Sequence, residues 1–273
     1  MNLETTNSKT ANPKNYTDFM ADDILYCGAC QTPKQCRIEI LGVKKTVPCL
    51  CKCRAEKYNE LCEQENQAKE QQYISQLKSQ GIQDRAIRYW TFDNDDNNNP
   101  AMTDKAMRYY TKWRQMYKEN IGLLLWGNVG TGKTFFAACI ANALINIKVP
   151  VLMTNFAKII NAMHGFAVED KNKYIDSLNH YRLLIIDDLG AERQSEFAQE
   201  IVYNVIDSRY KSGKPLIITT NMTIDEIKTP KNISYSRIYD RIMEMCVPIE
   251  FKGESRRRSM YQEKLNKARA MFE

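Results

Sequence analysis

The chain has 273 residues and a mass of 31.7 kDa, with 43% hydrophobic and 26% charged residues, the balance of a globular protein with room for one or two domains. No run approaches the ~18 apolar residues of a membrane-spanning helix, and the polar start MNLETTNSKTANPKNYTDF has no apolar signal core. A cytoplasmic protein with no membrane partner is therefore expected. The net charge of +6, from 39 Lys+Arg against 33 Asp+Glu, admits a nucleic-acid partner without arguing for one.

Residues 1–26 are polar and show no apolar period, so they predict a mobile leader. Residues 27–62 then hold seven of the nine cysteines: Cys27, Cys30, Cys36, Cys49, Cys51, Cys53 and Cys62. Disulfide frameworks belong to small secreted domains, so one dense cluster in a chain of this kind points to metal instead. Cys27-x₂-Cys30 and Cys51-x-Cys53 supply four thiolates for one tetrahedral Zn²⁺, which would give folding energy to a segment too small for its own core. Cys49 and Cys36 are reserve ligands, Cys49 with Cys51 being the main competing pair, and a four-cysteine iron–sulfur cluster is the chemical alternative. His164 and His180, the only histidines, have no soft ligand nearby and take surface or packing roles.

From Arg54 to Arg88 the chain is rich in Glu, Gln, Lys and Arg without proline, which predicts a solvated helix; residues 63–88 form the connector. DNDDNNNP (93–100) is a loop by composition. From Met102 onward short apolar strands alternate with helices. The strands are Gly122–Trp126, Pro150–Thr154, Leu183–Asp187, Leu216–Thr220 and Val247–Phe251; the helices are Lys133–Ile147, Phe156–His164, Phe197–Lys211 and Tyr235–Met245. This alternation predicts an α/β module over 89–273, with a five-stranded parallel sheet covered by helices on both faces.

The chemistry concentrates where these elements meet. Residues 127–134, GNVGTGKT, follow a strand and open a helix, the context in which G-x-x-x-x-G-K-[ST] cradles phosphates on backbone N–H groups. Gly127, Asn128, Val129, Gly130, Thr131, Gly132, Lys133, Thr134 and Phe135 are the candidate ATP contacts. Lys133 would reach the β and γ phosphates and Thr134 would hold Mg²⁺. The strand LLIIDDLG (183–190) ends in two carboxylates: Asp187 suits the Mg²⁺ shell, and Asp188 could orient or deprotonate the attacking water. Asp188 is one methylene shorter than the Glu of many related ATPases. LIITTN places Asn221 at a strand tip, within reach of the γ-phosphate or as a turn residue. Arg237 and Arg241 share a helical face, either as a structural ion-pair network beside Asp240 or as groups presented across a subunit boundary. Arg256, Arg257 and Arg258 follow the last strand. Trp90 and Phe92, in the segment AIRYWTF (86–92), suit ordinary core anchors on the residues alone.

In order, GNVGTGKT, LLIIDDLGAER, SEFAQEIVYNVIDSRY, KPLIITTN, RIYDRIMEMC and PIEFKGESRR resemble the DnaC/DnaI-type helicase-loader branch of the AAA+ ATPases and its relative, the transposition helper IstB. The resemblance spans about Gly81 to Arg258, and the cysteine region is similar to the amino-terminal part of many phage members. It implies Asn221 as sensor 1, Arg241 as arginine finger and Arg256 as sensor 2, with Arg257 and Arg258 as neighbouring choices for that last role. For Trp90 and Phe92 it implies an adenine contact, a reading that stands even with that of core anchors. It also implies an AAA+ module without a full carboxyl-terminal lid, since about twenty residues follow Glu254, enough for one helix.

The function so implied is ATP-dependent loading of a hexameric replicative DNA helicase of the DnaB type onto single-stranded DNA, in a phage or prophage setting. Hydrolysis would occur at a site shared between self-associated subunits, with ATP, Mg²⁺ and Zn²⁺ as cofactors. The segment 164–182 lies where such loaders carry an extra helical element, with Lys171, Lys173, Tyr174 and Arg182 as candidate DNA contacts or else as a plain surface connection. The rivals are an IstB-like ATPase helper of DNA transposition, a zinc-dependent replication adaptor that binds ATP without significant turnover, and a small-molecule kinase.

Overall fold

The computed structural model describes residues 16–192, 195–230, 233–253 and 255–272. It divides into two compact units, with the break between Gln71 and Gln72. In the first unit, β1 (Phe19–Ala21) and β2 (Ile24–Tyr26) form a hairpin, as do β3 (Gln35–Ile40) and β4 (Val43–Pro48). The first hairpin corrects the expectation of a leader over 1–26, of which residues 1–15 lie outside the described residues. Its three-residue strands are too short to show a period. Asp22 and Asp23 make the turn at φ 49° and 57°, and Phe19 stacks on Tyr26 at 5.6 Å.

The helix α1 (Lys52–Gly81) begins just after Cys51 and ends seven residues before the predicted Arg88. Gly81 explains the stop. A Cβ there would lie 2.0 Å from the Val151 carbonyl oxygen, and the next residue, Ile82, bridges to Met153 in parallel. Leu77 and Ile82 are buried in the core of the second unit, so a boundary at residue 89 cuts through packing that starts in the last turns of α1.

The second unit continues through 3₁₀ turns at Ile87–Tyr89 and Phe92–Asn94 to α2 (Pro100–Thr111) and α3 (Trp113–Lys118). These two helices are not among the elements that periodicity predicts. There follow β5 (Gly122–Gly127), α4 (Lys133–Asn146), β6 (Val151–Asn155), α5 (Phe156–Met163), α6 (Val168–Leu178) and β7 (Leu183–Leu189). The chain closes with α7 (Glu196–Lys211), β8 (Leu216–Thr220), α8 (Ile224–Lys228), α9 (Ile233–Met245), β9 (Cys246–Phe251) and α10 (Arg256–Phe272).

All five predicted strands join one parallel sheet in the order β6-β7-β8-β5-β9. Because side chains alternate along a strand, an all-apolar strand feeds two cores. Leu124, Leu184, Ile186 and Ile218 face α5, α6, α7 and α9. Leu123, Leu125, Leu183, Ile185 and Ile217 face α2 and α4. Cys139 and Cys246 are buried, as their apolar surroundings predict. Among the described residues no helix is long and apolar enough to cross a membrane.

Among the described residues one cation sits wholly inside. Arg209 of α7 is 0% exposed and has no acidic partner among its hydrogen bonds. It donates to the carbonyls of Tyr181 (3.0 Å), Arg182 (3.0 Å) and Pro215 (2.6 and 3.2 Å), tying α7 to the starts of β7 and β8. Burial pulls its pKa down to about 10. Arg209→Met should leave three carbonyls without this donor, at ~1–3 kcal/mol for each buried unpaired group. The urea midpoint should fall by ~1 M or more. A midpoint within error of the parent chain would show that water or backbone shifts replace the guanidinium.

Candidate functional site

The order of strands decides which loops meet. β5 lies between β8 and β9, and β7 lies beyond β8, so the carboxyl ends of β7 and β8 open beside the loop that follows β5. That loop turns into α4 through Gly132 at φ 99°, a backbone that L side chains rarely adopt. Lys133 is only 5% exposed. Its Nζ donates to the carbonyls of Gly127 (2.8 Å) and Asn128 (2.7 Å) and to Asn221 Oδ1 (2.8 Å). Burial lowers its pKa, against the pull of Asp188 and Asp187. Thr131 Oγ1 donates to the Asn128 carbonyl at 2.9 Å, and Val129 is exposed at the loop tip.

Thr134 Oγ1 donates to Asp187 Oδ1 at 2.8 Å, bringing together the two groups expected to share Mg²⁺. Burial raises the Asp187 pKa, while hydroxyl bonds from Thr219 and Thr134 oppose the rise. Thr219 escaped the sequence analysis. Its Oγ1 donates to Asp187 Oδ1 at 2.6 Å and accepts from the Asp188 N–H at 2.9 Å. A threonine pair inside an otherwise apolar buried strand, LIITT, was the available signal. Asp188 is exposed at φ 56°, where the β7–β8 register shifts between Ile186 and Leu189. Such strain in a non-glycine residue is common at functional sites.

Arg256 opens α10 directly against the loop. Its N–H donates to the Gly130 carbonyl at 2.9 Å, and its guanidinium carbon would lie 3.6 Å from a Cβ on Gly132. Arg257 and Arg258 are exposed. Trp90 and Phe92 are half-buried in the α4-side core, and Trp90 stands 5.8 Å from the Phe135 ring. They anchor the chain beside the start of α4.

Other predicted residues are not brought to the loop. Arg241 is held against α7: its charge meets Asp207 at 2.6 Å, at an angle short of a hydrogen bond, and its guanidinium lies over the rings of Tyr203 and Tyr210. Arg237 is exposed on α9. The 164–182 segment does form a helix, α6, but most of its candidate DNA contacts are engaged within the chain. Lys171 covers the Phe197 ring, Tyr174 packs edge-on to Phe166, and Arg182 lies over Tyr117. His164 packs near Phe197.

In the first unit, the sulfurs of Cys27, Cys30, Cys51 and Cys53 all lie within 4.8 Å of one another. Cys27–Cys53 is 3.7 Å and Cys51–Cys53 is 3.5 Å. Four sulfurs at ~2.3 Å from a tetrahedral Zn²⁺ would stand about 3.8 Å apart, so the cluster fits that ion. Local structure builds it: the Gln31 N–H bonds back to the Cys27 carbonyl, and Cys53 sits in the first turn of α1. The Lys52 N–H donates to Thr32 Oγ1 at 2.8 Å, joining the two halves. Hydrogen bonding among crowded sulfurs raises the Cys53 pKa, whereas the Thr32 hydroxyl lowers that of Cys30. A divalent cation would relieve this conflict. Cys49 points its sulfur at the Pro33 carbonyl, at 3.6 Å, outside the cluster.

Comparison with known proteins agrees with this architecture. The replicative helicase loader DnaI of Bacillus subtilis is 27% identical over 209 residues, which cover 70% of this chain and 65% of that protein. The loader DnaC of Escherichia coli K12 is 29% identical over 143 residues, 50% of this chain and 57% of the relative. The chain thus spans under two thirds of the length of either curated relative. A crystal structure of DnaI matches 66% of this chain and 98% of its own at a TM-score of 0.54 and 24% identity, a likeness of AAA+ fold. Residues 61–264 match the family described as IstB-like ATP binding protein, and this chain belongs to that family.

Proposed function

We propose that this chain is an ATP-dependent loader that places a hexameric replicative DNA helicase on single-stranded DNA. The observation that carries the proposal is the union, in one chain, of a four-cysteine cluster with an ATP-family unit similar over most of its length to a helicase loader. In this reading Lys133 leaves its carbonyl and Asn221 partners for the β and γ phosphates, and Gly127–Phe135 wrap the nucleotide. Thr134 and Asp187 hold Mg²⁺, which supplies charge neutralisation at those phosphates. Asp188, free at the strand end, orients or deprotonates the water, while Asn221 senses the γ-phosphate. Arg256 faces the nucleotide in its own chain, and Arg241 serves the site of a neighbouring subunit. The zinc-bound cysteine unit grips the helicase.

The family match also favours a second reading, an IstB-like helper of DNA transposition. A cysteine unit of this kind is no part of the helper pattern, which favours the loader. Co-purification with a hexameric helicase from the same cell supports loading, and recovery of a transposase instead overturns it. A passive ATP-binding adaptor has no need of a strained Asp188 or of an Asn221–Lys133 link.

Lys133→Ala should abolish binding of a fluorescent ATP analogue while leaving the circular dichroism spectrum intact. Unchanged affinity would remove the nucleotide reading. Purified protein should carry about one zinc per chain by elemental analysis. Cys27→Ser and Cys53→Ser should lose the metal and helicase binding yet keep nucleotide binding, whereas Cys49→Ser should keep all three. Iron in place of zinc, or zinc retained by Cys53→Ser, would refute the ligand set. Arg241→Ala should bind ATP nearly normally but neither hydrolyse it nor assemble on single-stranded DNA. Mixed with Lys133→Ala protein, it should regain activity, because one subunit brings the loop and the other the arginine. No recovery at any ratio would count against a shared site.

A further inference from the structure

The loop DNDDNNNP contributes a buried carboxylate that composition does not predict. The Asp95 side chain is 1% exposed. One of its oxygens accepts from the Thr103 hydroxyl of α2. The other faces Arg256 Nη2 at 3.5 Å, and the same nitrogen meets Asp96 Oδ1 at 2.9 Å. The guanidinium is therefore held by one nitrogen. Its Nε and Nη1 each stand 3.7 Å from where a Cβ on Gly132 would be, so they face the turn into α4. The rings of Phe135 and Phe136 back it at 6.0 and 5.8 Å.

We propose that the Asp95–Asp96 pair positions Arg256 for nucleotide phosphate, fixing Nη2 so that Nε and Nη1 remain aimed at the loop. The proposal rests on the nucleotide reading above. An arginine side chain without such an anchor loses much of its rotamer freedom on binding a phosphate. Anchored beforehand by charge-assisted contacts in a partly desolvated place, it presents two donors at once. Asp95 is the fixed member, since Thr103 occupies its second oxygen and solvent screens it little. Asp96 closes the grip from the outside.

Binding of mant-ATP and mant-ADP to the full chain tests this. Asp95→Asn/Asp96→Asn should weaken mant-ATP about tenfold, and mant-ADP less, because the lost donors address the terminal phosphates. Arg256→Ala should do the same, and adding it to the double variant should cost nothing further. Thr103→Val, which releases the second oxygen of Asp95, should weaken mant-ATP in the same direction by a smaller factor. Asp96→Asn alone, at a half-exposed position outside the core, should shift the ATP-to-ADP preference in the same direction by a smaller factor. Wild-type affinity in the aspartate variants overturns the assignment, as do losses that add to that of Arg256→Ala or that fall equally on ATP and ADP. Failure of the unaltered chain to bind mant-ATP would instead overturn the nucleotide reading itself.

Discussion

Lys133 must be buried and charged at once, and much of the sheet's carboxyl edge follows from that demand. An ammonium taken out of water needs hydrogen-bond acceptors and negative charge close by. The acceptors come from the turn itself, the Gly127 and Asn128 carbonyls, and from Asn221 at the end of β8. The negative charge comes from Asp187 and Asp188 at the end of β7. The sheet delivers both by setting β8 and then β7 beside β5. The ammonium is thus satisfied without phosphate, and a phosphate would exchange partners with it rather than fill a void.

Thr219 ties the Asp187 carboxylate to the Asp188 backbone N–H. It binds Asp187 through its hydroxyl proton and Asp188 through its lone pair, so one side chain holds two consecutive acids in different postures. Asp187 stays half-buried in line with the strand, while Asp188 is turned out at positive φ across the register shift. Adjacent residues in a regular strand would already point to opposite faces. The shift adds a change of depth to the change of direction, which separates a half-buried acid from a solvent-facing one.

The strands and the phosphate turn were legible because each is written locally. LLIID and LIITT are continuous apolar runs, and GNVGTGKT needs no distant partner to be recognised. The cysteine set was legible in part: Cys27-x₂-Cys30 stands out by spacing, but Cys49-x-Cys51 and Cys51-x-Cys53 are spaced alike, and it is folding that gathers Cys51 and Cys53 beside the first pair. What escaped is written across distance. Asp95 reads as one acid in a polar loop until Thr103 and Arg256 fold around it. Thr219 reads as a strand residue until β7 lies beside it. The hold of Asp207, Tyr203 and Tyr210 on Arg241 joins α7 to α9, and no pattern within either helix announces it. The β1–β2 hairpin failed for a different reason: three-residue strands cannot display a period.

The junction at Gly81 and Ile82 has a consequence for how the chain behaves in a crowded solution. An open parallel sheet exposes two rows of unpaired backbone groups, each a template for a strand from another molecule. At one margin, β6, Ile82 bridges to Met153, and Gly81 lets the backbone come down onto the Val151 carbonyl. At the other, β9 carries Pro248, which has no N–H to offer and is tolerated there because β9 pairs on one side only. Both margins are thereby blunted against adventitious strand addition, so a sheet rich in Ile and Leu can remain open-ended without seeding aggregates.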